Sequence, residues 1–124
     1  MPFTEEIRQA AENLGKHLGA DPSVQEYVNL KEKIQQDAEV ASLERKFVHL
    51  YETLANRQQN GEVLGRSELD EYYNLKIQVQ DHPLIAARDY QLEIVKAFFA
   101  QTSQRITSAL GIEYTEFANQ VEEK

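Results

Sequence analysis

Three histidines, His17, His49 and His82, are the residues of this 124-residue chain best suited to proton transfer or metal ligation. None stands in H-x-H or H-E-x-x-H spacing. None follows a Glu by three positions, as the di-iron sites of helical bundles require, since Leu14, Lys46 and Val79 occupy those places. His82 precedes Pro83 and reads as a helix cap, while His17 and His49 read as helix-surface or boundary residues. With no cysteine in the sequence, disulfides, thiolate nucleophiles, thiolate zinc sites and Cys-ligated iron–sulfur clusters are excluded. The 21 Asp and Glu are scattered. Glu39, Glu44 and Glu52 fall on the polar face of one helical stretch, and Glu12 stands four before Lys16, with which it can pair on a solvated face. Paired catalytic carboxylates need a shared cleft that separates their pKa values, and the spacing offers none.

Other chemistries fare no better. Gly61-Glu62-Val63-Leu64-Gly65-Arg66-Ser67 is one residue short of a phosphate loop and has Arg where that loop has Lys. It also joins two helical stretches, so it reads as a turn. No G-x-S-x-G elbow occurs. Tyr72-Tyr73 and Phe98-Phe99 could stack on bases, but they occupy apolar helical positions where core packing explains them. The 13 Lys and Arg include isolated pairs, Lys31/Lys33 and Arg45/Lys46, each set among acids, and the net charge is −8. Direct nucleic-acid binding is not expected, because phosphate affinity comes from clustered cations. The sequence thus predicts no catalytic residue, no cofactor and no metal. The start, Met1-Pro2-Phe3-Thr4-Glu5-Glu6, carries acid where a signal peptide carries base, and no apolar run is long enough for a bilayer. A soluble cytoplasmic protein without membrane contact is expected.

The elements behind these residues are helical almost throughout. Hydrophobic residues make up 41% and charged residues 27%, enough for a folded core in a single domain over 1–124. Phe3, Ile7, Ala10, Ala11, Leu14 and Leu18 form the stripe of a first helix, capped by Thr4 and ended by Gly19. Asp21-Pro22 opens a second, with Val24, Tyr27, Val28, Lys31 and Ile34. Asp37 turns the chain into a long third helix over about 37–59, stopped by Asn60-Gly61. Ser67-Glu68-Leu69-Asp70 reads as a capping box for a fourth. His82-Pro83 ends that helix and opens a fifth over about 83–110, roughly 40 Å long against a globule diameter of about 35 Å. A last helix is expected from Ile112 to about Val121, before the tail Glu122-Glu123-Lys124.

On the fifth helix Ile85, Arg88, Leu92, Val95, Phe99, Thr102, Ile106 and Ala109 keep a heptad rhythm, and Leu84, Ala87, Ile94, Phe98 and Leu110 widen the stripe. A stripe this wide needs cover on two sides. The third and fourth helices are expected to cover one, and a second copy the other, the alternative being that the first two helices fold back and cover it within the monomer. The expected shared surface is Leu84, Ile85, Leu92, Val95, Phe98, Phe99 and Ile106. The fold class is therefore all-α, an antiparallel helical bundle with two long helices and shorter flanking ones.

The order of these features resembles the YlbF/YmcA family of small all-helical bacterial proteins. The resemblance rests on Ala10-Ala11-x-x-Leu14-Gly15, Val24-x-x-Tyr27, Asp37-x-Glu39 with Phe47, Gly65 with Glu68, and His82-Pro83-x-Ile85 opening a long helix that ends near Gly111. It implies a helical bundle that forms homodimers or larger oligomers and a regulatory, non-enzymatic role in competence, sporulation, biofilm formation or RNA maturation. It implies partners among paralogous helical proteins and RNA-processing factors. Some relatives contribute cysteines to an iron–sulfur cluster, and this cysteine-free sequence departs from them there.

Two functions follow as expectations. The first is an oligomeric adaptor acting through helix-mediated protein contacts. The alternative is a small-molecule-binding bundle or cryptic enzyme with a cavity lined by Tyr51, Tyr72 and Tyr90, which would show as a large apolar pocket with convergent polar groups.

Overall fold

The computed structural model of the chain describes residues 3–118. Six helices follow in order: α1 (Glu5–Gly19), α2 (Pro22–Gln36), α3 (Ala38–Gln59), α4 (Arg66–Asp81), α5 (Pro83–Leu110) and the single turn α6 (Thr115–Ala118). No strand occurs among the described residues.

Local chemistry fixes the helix ends. Thr4 Oγ1 accepts from the Ile7 N–H at 3.2 Å, and Glu5 and Glu6 sit in the first turn, where the helix dipole favours anions. Asp21 accepts from the Ser23 N–H at 2.9 Å, with Pro22 at the first helical position. Asp37 both ends α2 and opens α3: its Oδ1 accepts from the N–H groups of Glu39 at 3.1 Å and Val40 at 3.2 Å. His82 does the same between α4 and α5, its Nδ1 accepting from the Leu84 N–H at 3.2 Å. Gly61 and Gly111 take φ of +84° and +87°, a left-handed geometry that side chains resist, and each turns the chain out of a helix.

Gly19 ends α1 as its last residue, with Ala20 after it in a right-handed conformation. Two ends differ from the sequence expectation. Helix α4 begins at Arg66, because the Glu68 carboxylate accepts from the Gly65 N–H at 2.8 Å; Ser67 lies inside the helix. The last helix starts at Thr115 and not at Ile112, since the Gly111 reversal is followed by a bend in which Thr115 Oγ1 donates to Glu113 at 2.6 Å. Val121 and the tail Glu122–Lys124 lie outside the described residues.

The helices associate as two antiparallel pairs, α2 with α5 and α3 with α4, which meet at a common junction. There Ile34, Val40, Val79 and Ile85, one from each helix, form the central cluster, with Leu43, Phe47 and Leu84 packed against it. Beyond the junction each pair has its own seam. Leu30 and Val95 are buried between α2 and α5, and Leu54 is buried on α3 beside α4. Among the described residues, helix α1 touches only α2, and no Cα of α3 comes within 8 Å of one of α5. The main cover of α5 is thus α2, where α3 and α4 had been expected on one side; of the alternative, in which the first two helices fold back, α2 does so and α1 does not. The third helix reaches α5 through the junction cluster and through the Arg88 guanidinium, whose Nη1 donates to Glu44 Oε1 at 2.8 Å and whose Nη2 donates to Oε2 at 2.5 Å.

A chain that is two helices wide away from its junction buries little. The accessible surface is 9861 Å², against roughly 6,800 Å² for a compact monomer of this mass. This openness decides where a functional surface can lie.

Candidate interaction surface

Two of the seven residues expected on the shared surface belong to the interior. Ile85 is fully buried in the junction cluster and Val95, 4% exposed, is buried in the α2–α5 seam. Leu84 packs half-buried on the same cluster, and Leu92 is half-buried along α5. Phe98, Phe99 and Ile106 lie beyond the end of α2. Phe99 is 42% exposed, while Phe98 and Ile106 are half-buried. The rings of Phe98 and Phe99 lie 5.8 Å apart, tilted by 35°.

One heptad stripe therefore serves two purposes. Gln91 Nε2 donates to the Ser23 carbonyl at 2.8 Å, which places the start of α2 beside the middle of α5. Up to Val95 the stripe is filled by α2. Past that point it continues through Phe99 to Leu110 with no helix beside it among the described residues. Tyr114 folds back here, its hydroxyl donating to Ser103 Oγ at 3.1 Å.

Helix α1 leaves its apolar stripe uncovered among the described residues. Phe3 is 68% exposed, Ile7 and Leu14 are also exposed, and no residue of α1 is buried. A third apolar region lies on the α3–α4 pair, where Tyr51, Tyr73 and Ile77 are exposed. Phe47 and Tyr72 stack with ring centroids 5.6 Å apart, and Tyr51 and Tyr73 lie 6.3 and 5.2 Å from Tyr72.

The expected tyrosine triad is brought together only in part. Tyr51 and Tyr72 share an open cleft of about 220 Å³ with Leu54, Leu64, Leu69 and Tyr73, below the roughly 300–1,000 Å³ of drug-sized ligand sites. Tyr90 is 71% exposed on α5 and takes no part in it. A wider groove of about 790 Å³ runs along the other side of α3–α4, with Leu50 and Leu75 among its lining and Lys46, Asp70 and Glu71 among its polar residues. His49 lies beside it, His17 is exposed on α1 and His82 is held as a cap. Among the described residues, no three His, Cys, Asp or Glu side chains are grouped to hold a metal ion.

Charge pairs brace the pairs of helices. Glu44 holds the Arg88 guanidinium well above its ordinary range, with Asp89 adding to the effect. At the far end of α3, Arg57 reaches both Glu62 and Glu68 across the Asn60–Gly65 turn. The Arg57 guanidinium, and after it the Gly65 N–H, hold the Glu68 carboxyl below its ordinary value of 4.5. A carboxyl depressed in the fold stabilises it above the unfolded pKa and loses that contribution as pH falls through the folded one. The Gly65 amide resonance should therefore titrate with a midpoint below pH 4.5. In Glu68→Gln that titration should vanish; its persistence would place the sensing carboxylate elsewhere.

What the described residues present to solvent is a large apolar surface. No helix among the described residues is long and apolar enough to cross a membrane. The chain superposes on the X-ray crystal structure of Bacillus subtilis RicA in complex with RicF with a TM-score of 0.75, at 16% identity, over 88% of this chain and 96% of that one. At that identity the likeness speaks for the fold alone. Comparison with curated proteins gives no match. The family described as "Control of competence regulator ComK, YlbF/YmcA" matches residues 7–111, which takes in the capped helices, the junction and the whole of α5. With nearly all of its helical framework inside that match, the chain belongs to the YlbF/YmcA family.

Proposed function

We propose that the chain is a non-enzymatic, self-associating adaptor of the cytoplasm that acts through helical faces. Its pathway would be the control of competence, sporulation, biofilm formation or RNA maturation, alongside paralogous helical chains or RNA-processing factors. The observation that carries this reading is the exposed apolar area. Phe3, Ile7, Leu14, Tyr51, Tyr73, Ile77 and Phe99 all face solvent in a member of a regulatory family. A surface in excess of a compact monomer's by roughly 3,000 Å² is of the size that obligate homodimers bury in total. Burying apolar area at about 25 cal/mol per Å² would supply the association energy.

Light scattering across a dilution series tests the self-association, and a tagged, nuclease-treated pull-down from native lysate tests the pathway. A mass at or above twice 14.3 kDa, with paralogous chains or RNA-processing factors enriched, is the expected result. A monomer at all concentrations that enriches neither class of protein would overturn the proposal.

A further inference from the structure

The distal half of α5 and the whole of α1 are two halves of an unmade seam. Helix α1 has 15 residues, about 22 Å of helix. The part of α5 that runs past α2, Lys96–Leu110, has the same length. Both carry an apolar stripe, Ile7 and Leu14 on one and Phe99 and Ile106 on the other, and neither touches the other within the chain. Had α1 continued the line of α2, it would lie on distal α5. The tight turn at Ala20–Asp21 sends it elsewhere: the Ala20 N–H bonds the Lys16 carbonyl, and Gln25 Nε2 bonds the Gly19 carbonyl at 2.5 Å.

We propose that α1 of one copy lies antiparallel on distal α5 of a second copy, and reciprocally, about a two-fold axis. The inference rests on the self-association proposed above and names its surface. Three observations select a second copy as the occupant. The lengths match. The charges do not oppose it: no Asp or Glu occurs between Glu93 and Glu113, where Lys96 and Arg105 are the ionised groups, and α1 is close to neutral, its Glu5, Glu6 and Glu12 set against Arg8 and Lys16, with Arg8 bonded to Glu5 and Glu12. In a chain of net charge −8, an acid-free segment of this length is the place where two copies meet with least repulsion. The area is at hand, since the accessible surface of 9861 Å² exceeds that of a compact monomer by roughly 3,000 Å², more than the roughly 1,200–2,000 Å² that a standard interface buries. The antiparallel sense follows from α2, which already runs antiparallel to α5 along the same stripe.

The absence of cysteine gives a clean background for the test. Two differently tagged full-length chains, Ile7→Cys and Ile106→Cys, are mixed and treated with a short bis-maleimide. The proposal expects the mixed-tag product to exceed either like-with-like product at least several-fold. A light-scattering dimer that yields like-with-like products or none overturns the arm contact while leaving self-association standing. A monomer overturns both. An efficient intramolecular link in the double variant overturns the exchange, because α1 would then fold onto its own chain. Should a cysteine variant fail to fold, amide exchange on the unaltered chain decides: protection of 5–19 and of 96–110 must rise together with concentration, and independence from concentration overturns the contact.

Discussion

Replacing Ile85 with Ala should lower stability by about 2–5 kcal/mol, the range for truncating a buried aliphatic side chain that leaves a cavity. Ile85 is the only large side chain buried completely among the described residues, and it sits where α2, α3, α4 and α5 meet. The chain has only seven buried hydrophobic residues among those described, so the loss falls on a small core with little reserve. A drop in melting temperature of roughly 10 °C or more is expected by circular dichroism. Val63→Ala serves as the control: Val63 is 92% exposed in the α3–α4 turn, and its truncation should change stability by less than about 0.5 kcal/mol. Equal effects of the two substitutions would mean that the junction is not the core.

Phe99→Asp should act on association and leave the isolated chain folded. Phe99 lies on the same stripe as Ile85 and Val95 but beyond the end of α2, and is 42% exposed. A carboxylate there meets water in the monomer, so the helical signal of a dilute sample should be retained. In a dimer it would face a desolvated apolar contact, and the loss of an aromatic anchor typically costs about 2 kcal/mol or more, some 30-fold in Kd. Sedimentation or light scattering over a concentration series reads this directly. An unchanged dissociation constant would move the interface off distal α5. The pair of substitutions thus separates core from surface along one helix.

That separation marks the limit of the sequence reading. Caps are local, so Thr4, Asp21-Pro22, Asp37, Asn60-Gly61, His82-Pro83 and Gly111 place the helix ends almost as the structure has them. The start of α4 escaped because Glu68 bonds a backbone N–H, which Gly65 supplies as well as any residue, while Ser67 imitates the cap. Periodicity gave the face of α5 but not where its partner stops, so Ile85, Val95 and Phe99 looked alike. The choice of α2 as that partner depends on the direction in which the chain leaves Asp37 and His82. Two single-residue connections set that direction, and an apolar stripe says nothing about it. The aromatic cluster was half legible for the same reason: Tyr72 and Tyr51 follow from α3 facing α4, whereas Tyr90 belongs to the other pair.

Those two connections have a mechanical consequence. Asp37 and His82 are adjacent crossings from one helical pair to the other, with Arg88 and Glu44 bonded just beyond them. Helix α3, at 22 residues, is an arm of about 33 Å measured from that fulcrum. A rotation of about 10° there would carry the far turn at Gly61 through about 6 Å, more than the rise of one helical turn. A force applied at the tip acts through that lever arm on the junction cluster and on the Arg88–Glu44 pair. The spacing between whatever the two ends of the molecule hold is thereby set by a few atoms at its centre.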